Sequence, residues 1–142
     1  MKKIIFLLAS VFVFSLAQAQ SPVSAMTGTD TVINTGVVNL DIQLGTDYAS
    51  ASFMLVATKL SGTVAGTCPI QASNDGTNYF PINTPNWYGG GAFVDTATVT
   101  NVATFTYSWV ERPVRYRYYR LAVTGSGTSS YIVRGYVQPR RP

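Results

Sequence analysis

From Asp30 to Gln138 no stretch of this chain repeats its apolar residues every third or fourth position, so nothing in it reads as an amphipathic helix. What repeats instead is alternation. Val38, Leu40, Ile42 and Leu44 are separated by Asn39, Asp41 and Gln43, the period of a strand with one dry and one wet face. Ala51 to Leu60 carries Phe53, Met54, Leu55 and Val56 in succession and reads as a strand buried on both faces. Thr67 to Ser73 is a further strand, with Pro69 marking an edge or a bulge. Asn74-Asp75-Gly76 signals a tight hairpin, because Asp-Gly readily supplies the positive φ a two-residue turn requires, and Thr77 to Ile82 is its return strand. Ala92–Val99, Val102–Trp109, Val114–Val123 and Ser130–Gln138 follow, punctuated by Thr100-Asn101, Pro113 and Gly125-Ser126-Gly127. Short strands with turns every ~8–12 residues predict an all-β fold. The expectation is a single antiparallel β-sandwich domain, of jelly-roll or galactose-binding-like kind, over residues 30–138.

The N-terminus has a different grammar. Lys2 and Lys3 precede an apolar run from Ile4 to Leu16, and Ala17-Gln18-Ala19 places small residues where a signal peptidase needs them. This predicts a signal peptide over residues 1–19, then a flexible leader over 20–29, with 139–142 forming a basic tail after the domain. The run falls short of the ~20 apolar residues a membrane-spanning helix needs, so the expectation is a secreted chain, periplasmic, surface-bound or extracellular, without membrane insertion after cleavage.

Charge and cysteine content exclude several functions. Without Lys2 and Lys3 the chain keeps one lysine and seven arginines against six acids, which is no footprint for nucleic acid. All seven arginines lie beyond residue 111, so the last third is locally basic. Cys68 is the only cysteine; it sits among small and apolar residues and reads as buried.

Histidine is absent, which removes the Ser-His-Asp and Cys-His arrangements, and no phosphate-cradling glycine loop is present. The chain therefore reads as non-enzymatic, without cofactor or metal. The oxygen-rich turn Asn74, Asp75, Asn78 lacks the carboxylate spacing of a calcium loop. Candidates for binding are aromatic. Trp87 and Tyr88, within the glycine-rich segment Asn83–Gly91, offer flat rings for sugar C–H faces or for another protein, with Tyr79 and Trp109 as possible additions. Alternatively, Trp87 closes one end of the sandwich. The stretch Arg112 to Arg120 holds four arginines interleaved with tyrosines. In an extended chain Arg115 and Arg117 share a face with Tyr119, Leu121 and Val123, which places them at the rim, as candidates for an anionic partner; alternatively the arginine–tyrosine ladder only stiffens the sheet by cation–π packing. Arg120 lies on the other face with Tyr116 and Tyr118 and reads as the structural member, packing by cation–π contact.

Ser73-Asn74-Asp75-Gly76-Thr77-Asn78-Tyr79 followed by Arg117-Tyr118-Tyr119-Arg120-Leu121 resembles the discoidin-type, galactose-binding-like sandwich. That resemblance implies carbohydrate or lipid-headgroup binding through loops at one end, with no binding residue carried over. The same pattern is similar to small β-sandwich proteins of phage and prophage structural clusters. Tailed virions assemble in the cytoplasm, so an export signal argues against a virion part. The ending Ala17-Gln18-Ala19-Gln20 resembles export signals of Bacteroidota. The expected function is a secreted structural or adhesive protein acting by surface interaction or self-assembly, its partner a protein (a second copy included) or a glycan. A carbohydrate-binding module and a phage virion protein are the alternatives.

Overall fold

The computed structural model describes residues 23–45, 47–85 and 93–142. Eleven strands follow one another in the described residues: β1 Ser24–Ile33, β2 Val37–Gln43, β3 Ser50–Gly62, β4 Gly66–Ser73, β5 Phe80–Pro81, β6 Thr84–Pro85, β7 Phe93–Val94, β8 Thr96–Val99, β9 Thr104–Glu111, β10 Tyr118–Gly125 and β11 Ser129–Arg140. One sheet has the order β1-β11-β3-β9. The second has β2-β10-β4, and the far edge of β4 is shared by two short strands, β8 beside Gly66–Pro69 and β5 beside Gln71–Ala72. A small ribbon, β6–β7, is hydrogen-bonded into neither sheet but packs against β9. All the pairings are antiparallel. Leave out the two-residue strands, number the remaining eight along the chain, and the sheets read 1-8-3-6 and 2-7-4-5, the jelly-roll order. The all-β sandwich expected from the sequence is the fold observed.

Alternation fills the space between the sheets. Phe53, Leu55 and Ala57 of β3, Tyr131 and Val133 of β11, and Val32 of β1 face Leu40, Ile70, Leu121 and Val123 of the other sheet. The Phe53 and Tyr119 rings meet across the gap at 4.7 Å. Each fully buried aliphatic side chain contributes about 1.5–3 kcal/mol relative to exposure, so this layer carries most of the stability.

Several boundaries differ from the sequence reading. The described sandwich begins at Ser24, not Asp30: Ser24 to Thr29 of the expected leader belong to an edge strand paired with β11, through a register shift between Ala25 and Thr29. Its small polar residues show no apolar period, but backbone pairing requires none, and Met26 packs over Gly135, where a Cβ would come within 2.7 Å of its sulfur. At the other end β11 continues through Pro139 and Arg140, paired with Ala51 and Ser50, where a tail was expected. Strand β3 is not buried on both faces. Phe53 and Leu55 are inside while Met54 and Val56 are half-exposed on the outer face of their sheet. β4 is an interior strand despite Pro69; its ladder to β10 runs to Leu121↔Ile70 and resumes at Thr124↔Thr67, skipping Cys68 and Pro69, the latter without an N–H. The Asn74-Asp75-Gly76 turn is wider than a two-residue hairpin, with Asn74 to Tyr79 lying between β4 and the two-residue β5. The Asp75 carboxylate organises it, accepting hydrogen bonds from the Thr77 and Asn78 amides at 2.8 Å, from Asn78 Nδ2 at 2.7 Å and from Ser73 Oγ at 2.8 Å.

Candidate functional site

The inner faces of the two sheets run out at the same end of the sandwich, and a cleft opens there. On β9 the inward row is Phe105, Tyr107 and Trp109, and the next inward position is Glu111. On the opposite sheet Ile82 is buried against the core, its amide bonded to the Ile70 carbonyl, and Phe80 shares its parity two residues earlier. Phe80 has therefore left the core, and 43 % of its surface is exposed. The connector between β9 and β10 closes the third side. Its Arg112–Pro113 bond is cis, and Val114 plugs into the core. The Tyr116 amide donates to the Tyr119 hydroxyl at 3.3 Å, and the Arg117 carbonyl accepts from the Leu44 amide at 2.8 Å. These anchors hold Arg115 and Tyr116 over the opening.

The result is a cleft of about 290 Å³ lined by Phe80, Pro81, Ile82, Asn83, Glu111, Arg115 and Tyr116. Phe80 and Tyr116 meet edge to face, ring centres 5.2 Å apart. Glu111 is only 7 % exposed, and burial pushes its carboxyl above the usual carboxylate range, partly offset by the positive charge of Arg115. Tyr119 beneath is pushed up to about 12, chiefly by burial, and so remains a neutral hydroxyl. Aromatic faces, a carboxyl, a guanidinium and the Asn83 amide thus converge on one opening. Among the described residues no three His, Cys, Asp or Glu side chains gather as a metal site would require.

The sequence candidates fare differently. Arg115 lines the cleft. Arg117 is exposed beside it and precedes β10, because that strand begins at Tyr118 instead of Val114. Trp109 is a correction: it is wholly buried, its ring 4.8 Å from that of Tyr107, since its parity on β9 points inward. Tyr79 is also placed elsewhere. The Arg120 guanidinium lies 3.8 Å from the centre of its ring and forks onto Asp41 at 2.7 and 3.0 Å, so Tyr79 belongs to a brace on the outer face of the second sheet. Arg120 has the structural contacts expected of it. Trp87 and Tyr88 lie outside the described residues. Phe80, Asn83, Glu111 and Tyr116 were not singled out from the sequence; the available signal was parity, Phe80 with Ile82 and Glu111 with Trp109.

No protein-family model matches the chain, and no curated protein matches it. Solved structures do match. The PBSX exported protein XepA superposes with a TM-score of 0.55 at 13 % identity over 85 % of this chain, which spans 37 % of that protein's length. The SPBc2 prophage-derived protein YomS gives 0.50 at 10 % identity, covering 82 % of this chain and 91 % of YomS. A carbohydrate-binding module of the CBM4 type superposes more loosely, at 0.45 and 13 % identity over 87 % of this chain and 82 % of the module. The likeness to prophage β-sandwich proteins expected from the Ser73–Tyr79 turn and the Arg117–Leu121 segment is thus present in three dimensions, and what the chain shares with XepA and YomS is their fold.

Proposed function

We propose that this chain is an exported, non-enzymatic binding protein that attaches to a carbohydrate through the end cleft. One observation carries the reading: the Phe80 and Tyr116 rings stand beside Glu111, Arg115 and Asn83 around a single opening. Rings offer apolar faces to sugar C–H groups, while the carboxyl, guanidinium and amide satisfy hydroxyls that would otherwise lose their water. At about 290 Å³ the cleft is at the small end of ligand pockets, which run from ~300 Å³ upward, suiting one or two sugar units. Export rests on the Lys2-Lys3 and Ile4–Leu16 pattern. Binding of the secreted form to an oligosaccharide panel tests the proposal. Phe80→Ala and Tyr116→Ala should each weaken binding by about tenfold or more, and the bound sugar should be recovered unmodified. A panel without hits, or wild-type binding by Phe80→Ala, would reject it.

A second reading, self-association, has its own support. Met54, Val56, Ile132 and Tyr136 are half-exposed around Arg134 on the outer face of the β1-β11-β3-β9 sheet. Sedimentation equilibrium showing only monomer at high concentration would dismiss it.

A further inference from the structure

Charge is unevenly distributed over this sandwich. Glu111, Ala51 and Pro139 lie in one cross-strand row, so Arg112 and Arg140 stand one step beyond it on strands about 10 Å apart. Arg115 and Arg117 come from the connector at the same end, and Arg141 lies 6.0 Å from the Tyr48 ring. All five are exposed. None of them forms an ion pair among the described residues, where the only such pair is Arg120–Asp41. Against these five arginines the acids at this end are three, Asp47, Asp75 and Glu111, so positive charge predominates. The cleft is therefore the mouth of a basic end, and its own guanidinium, Arg115, has no carboxylate partner within ion-pair distance.

We propose that the cleft selects acidic saccharides, with a sugar carboxylate paired to Arg115 while Phe80 and Tyr116 take the ring face. The inference rests on the carbohydrate reading above and adds the ligand's class. A planar carboxylate matches the guanidinium fork, and the outer arginines raise the local concentration of an anionic polymer. Glu111 fits as a sensor. Arg115 and Tyr116 face it from the connector, Tyr119 from β10, and uncharged Ala51, Phe80, Pro81 and Ile82 from the remaining sides. Burial raises its carboxyl, so acidification neutralises it while a sugar carboxylate, titrating near about 3.5, stays charged. Protonated Glu111 then donates a hydrogen bond to the ligand where ionised Glu111 repels it. Affinity should rise as pH falls from neutral toward about 4.5.

The test is calorimetry on the secreted form with three probes: an oligogalacturonide, the same oligomer with its carboxyls methyl-esterified, and inorganic polyphosphate. The acidic oligomer should bind about tenfold tighter than its ester at low salt and lose that preference as salt rises. Arg115→Gln, an exposed change that leaves folding intact, should equalise the two. Glu111→Gln should flatten the pH dependence. If the ester binds as tightly as the acid, or if neither binds while the oligosaccharide panel yields a neutral sugar, the inference fails and the carbohydrate reading survives; if neither binds and the panel is also empty, both fail. Polyphosphate binding as tightly as the oligogalacturonide and unaffected by Phe80→Ala would place anion recognition on the basic end alone and overturn the inference.

Discussion

Gly125 closes β10 with its amide donating to the Gly36 carbonyl at 3.0 Å, and a methyl group there would run into the carbonyl oxygen of Asn34 and lie 2.7 Å from Val32 Cγ1. Gly127, two residues on, has φ of 83° with open space around it. The two should respond differently to alanine. Gly125→Ala should cost about 2–3 kcal/mol through crowding, and Gly127→Ala about 1 kcal/mol through its left-handed backbone, both read from urea unfolding. The Gly125-Ser126-Gly127 motif announces a turn but cannot distinguish these roles, because Asn34 is distant in sequence. Asp75 was legible as a turn residue and illegible as a carboxylate that organises one. Its hydrogen bonds, those from the Asn78 and Thr77 amides foremost, hold it well below the usual carboxylate range. A carboxyl depressed in the folded state contributes stability above its unfolded value of about 4, and that contribution is lost as pH falls through the folded one. Melting temperatures between pH 6 and pH 2 should therefore fall more steeply for wild type than for Asp75→Asn, beginning near pH 4.

Among the elements, β1 and β2 are the edge strands on one side of the sandwich, and one hydroxyl joins them. Thr27 Oγ1 donates to the Asp41 carbonyl at 2.9 Å and accepts from the Asp41 amide at 3.1 Å, capping backbone groups on an otherwise open edge. Thr27→Val keeps the shape and removes both bonds. Stability should drop by about 1 kcal/mol, and hydrogen exchange at the Asp41 amide should accelerate selectively. Strand β2, though also an edge, was legible because one face of it is dry, as Val38 and Leu40 show. β1 was not, since Ser24, Ala25 and Thr27 look the same in a leader and in an edge strand; only the partner strand makes the difference. The start of β10 was missed for a related reason. Val114 to Arg117 alternates as a strand would, yet the Leu44 amide and the Tyr119 hydroxyl hold this stretch as a connector.

For the whole molecule, sandwich packing follows from alternation, but jelly-roll order does not, because it depends on pairings such as Asp41 with Arg120 across 79 residues. The cleft has the same history. Glu111, Arg115 and Tyr116 share one short segment, but Phe80 and Asn83 come from a separate segment well upstream, and only the fold brings the two together. Cys68 was read correctly as a core residue; it is fully buried, and burial pushes its thiol up. A thiol reagent should therefore find no reactive cysteine in the native protein and one per chain in denaturant. Modification of the native state at the denatured rate would show that the core around β4 opens readily.

The pairing of β1 with β11 sets how the molecule carries load. Ser24 lies opposite Val137, close to the row of Glu111, so the described chain enters and leaves at the end that bears the cleft. Tension between a surface tether at either terminus and a ligand in the cleft would pass through that end alone, leaving the sandwich body slack. Tension between the two termini would instead peel β1 from β11, rupturing their hydrogen bonds in sequence, a geometry that gives way at far lower force than shearing all of them at once.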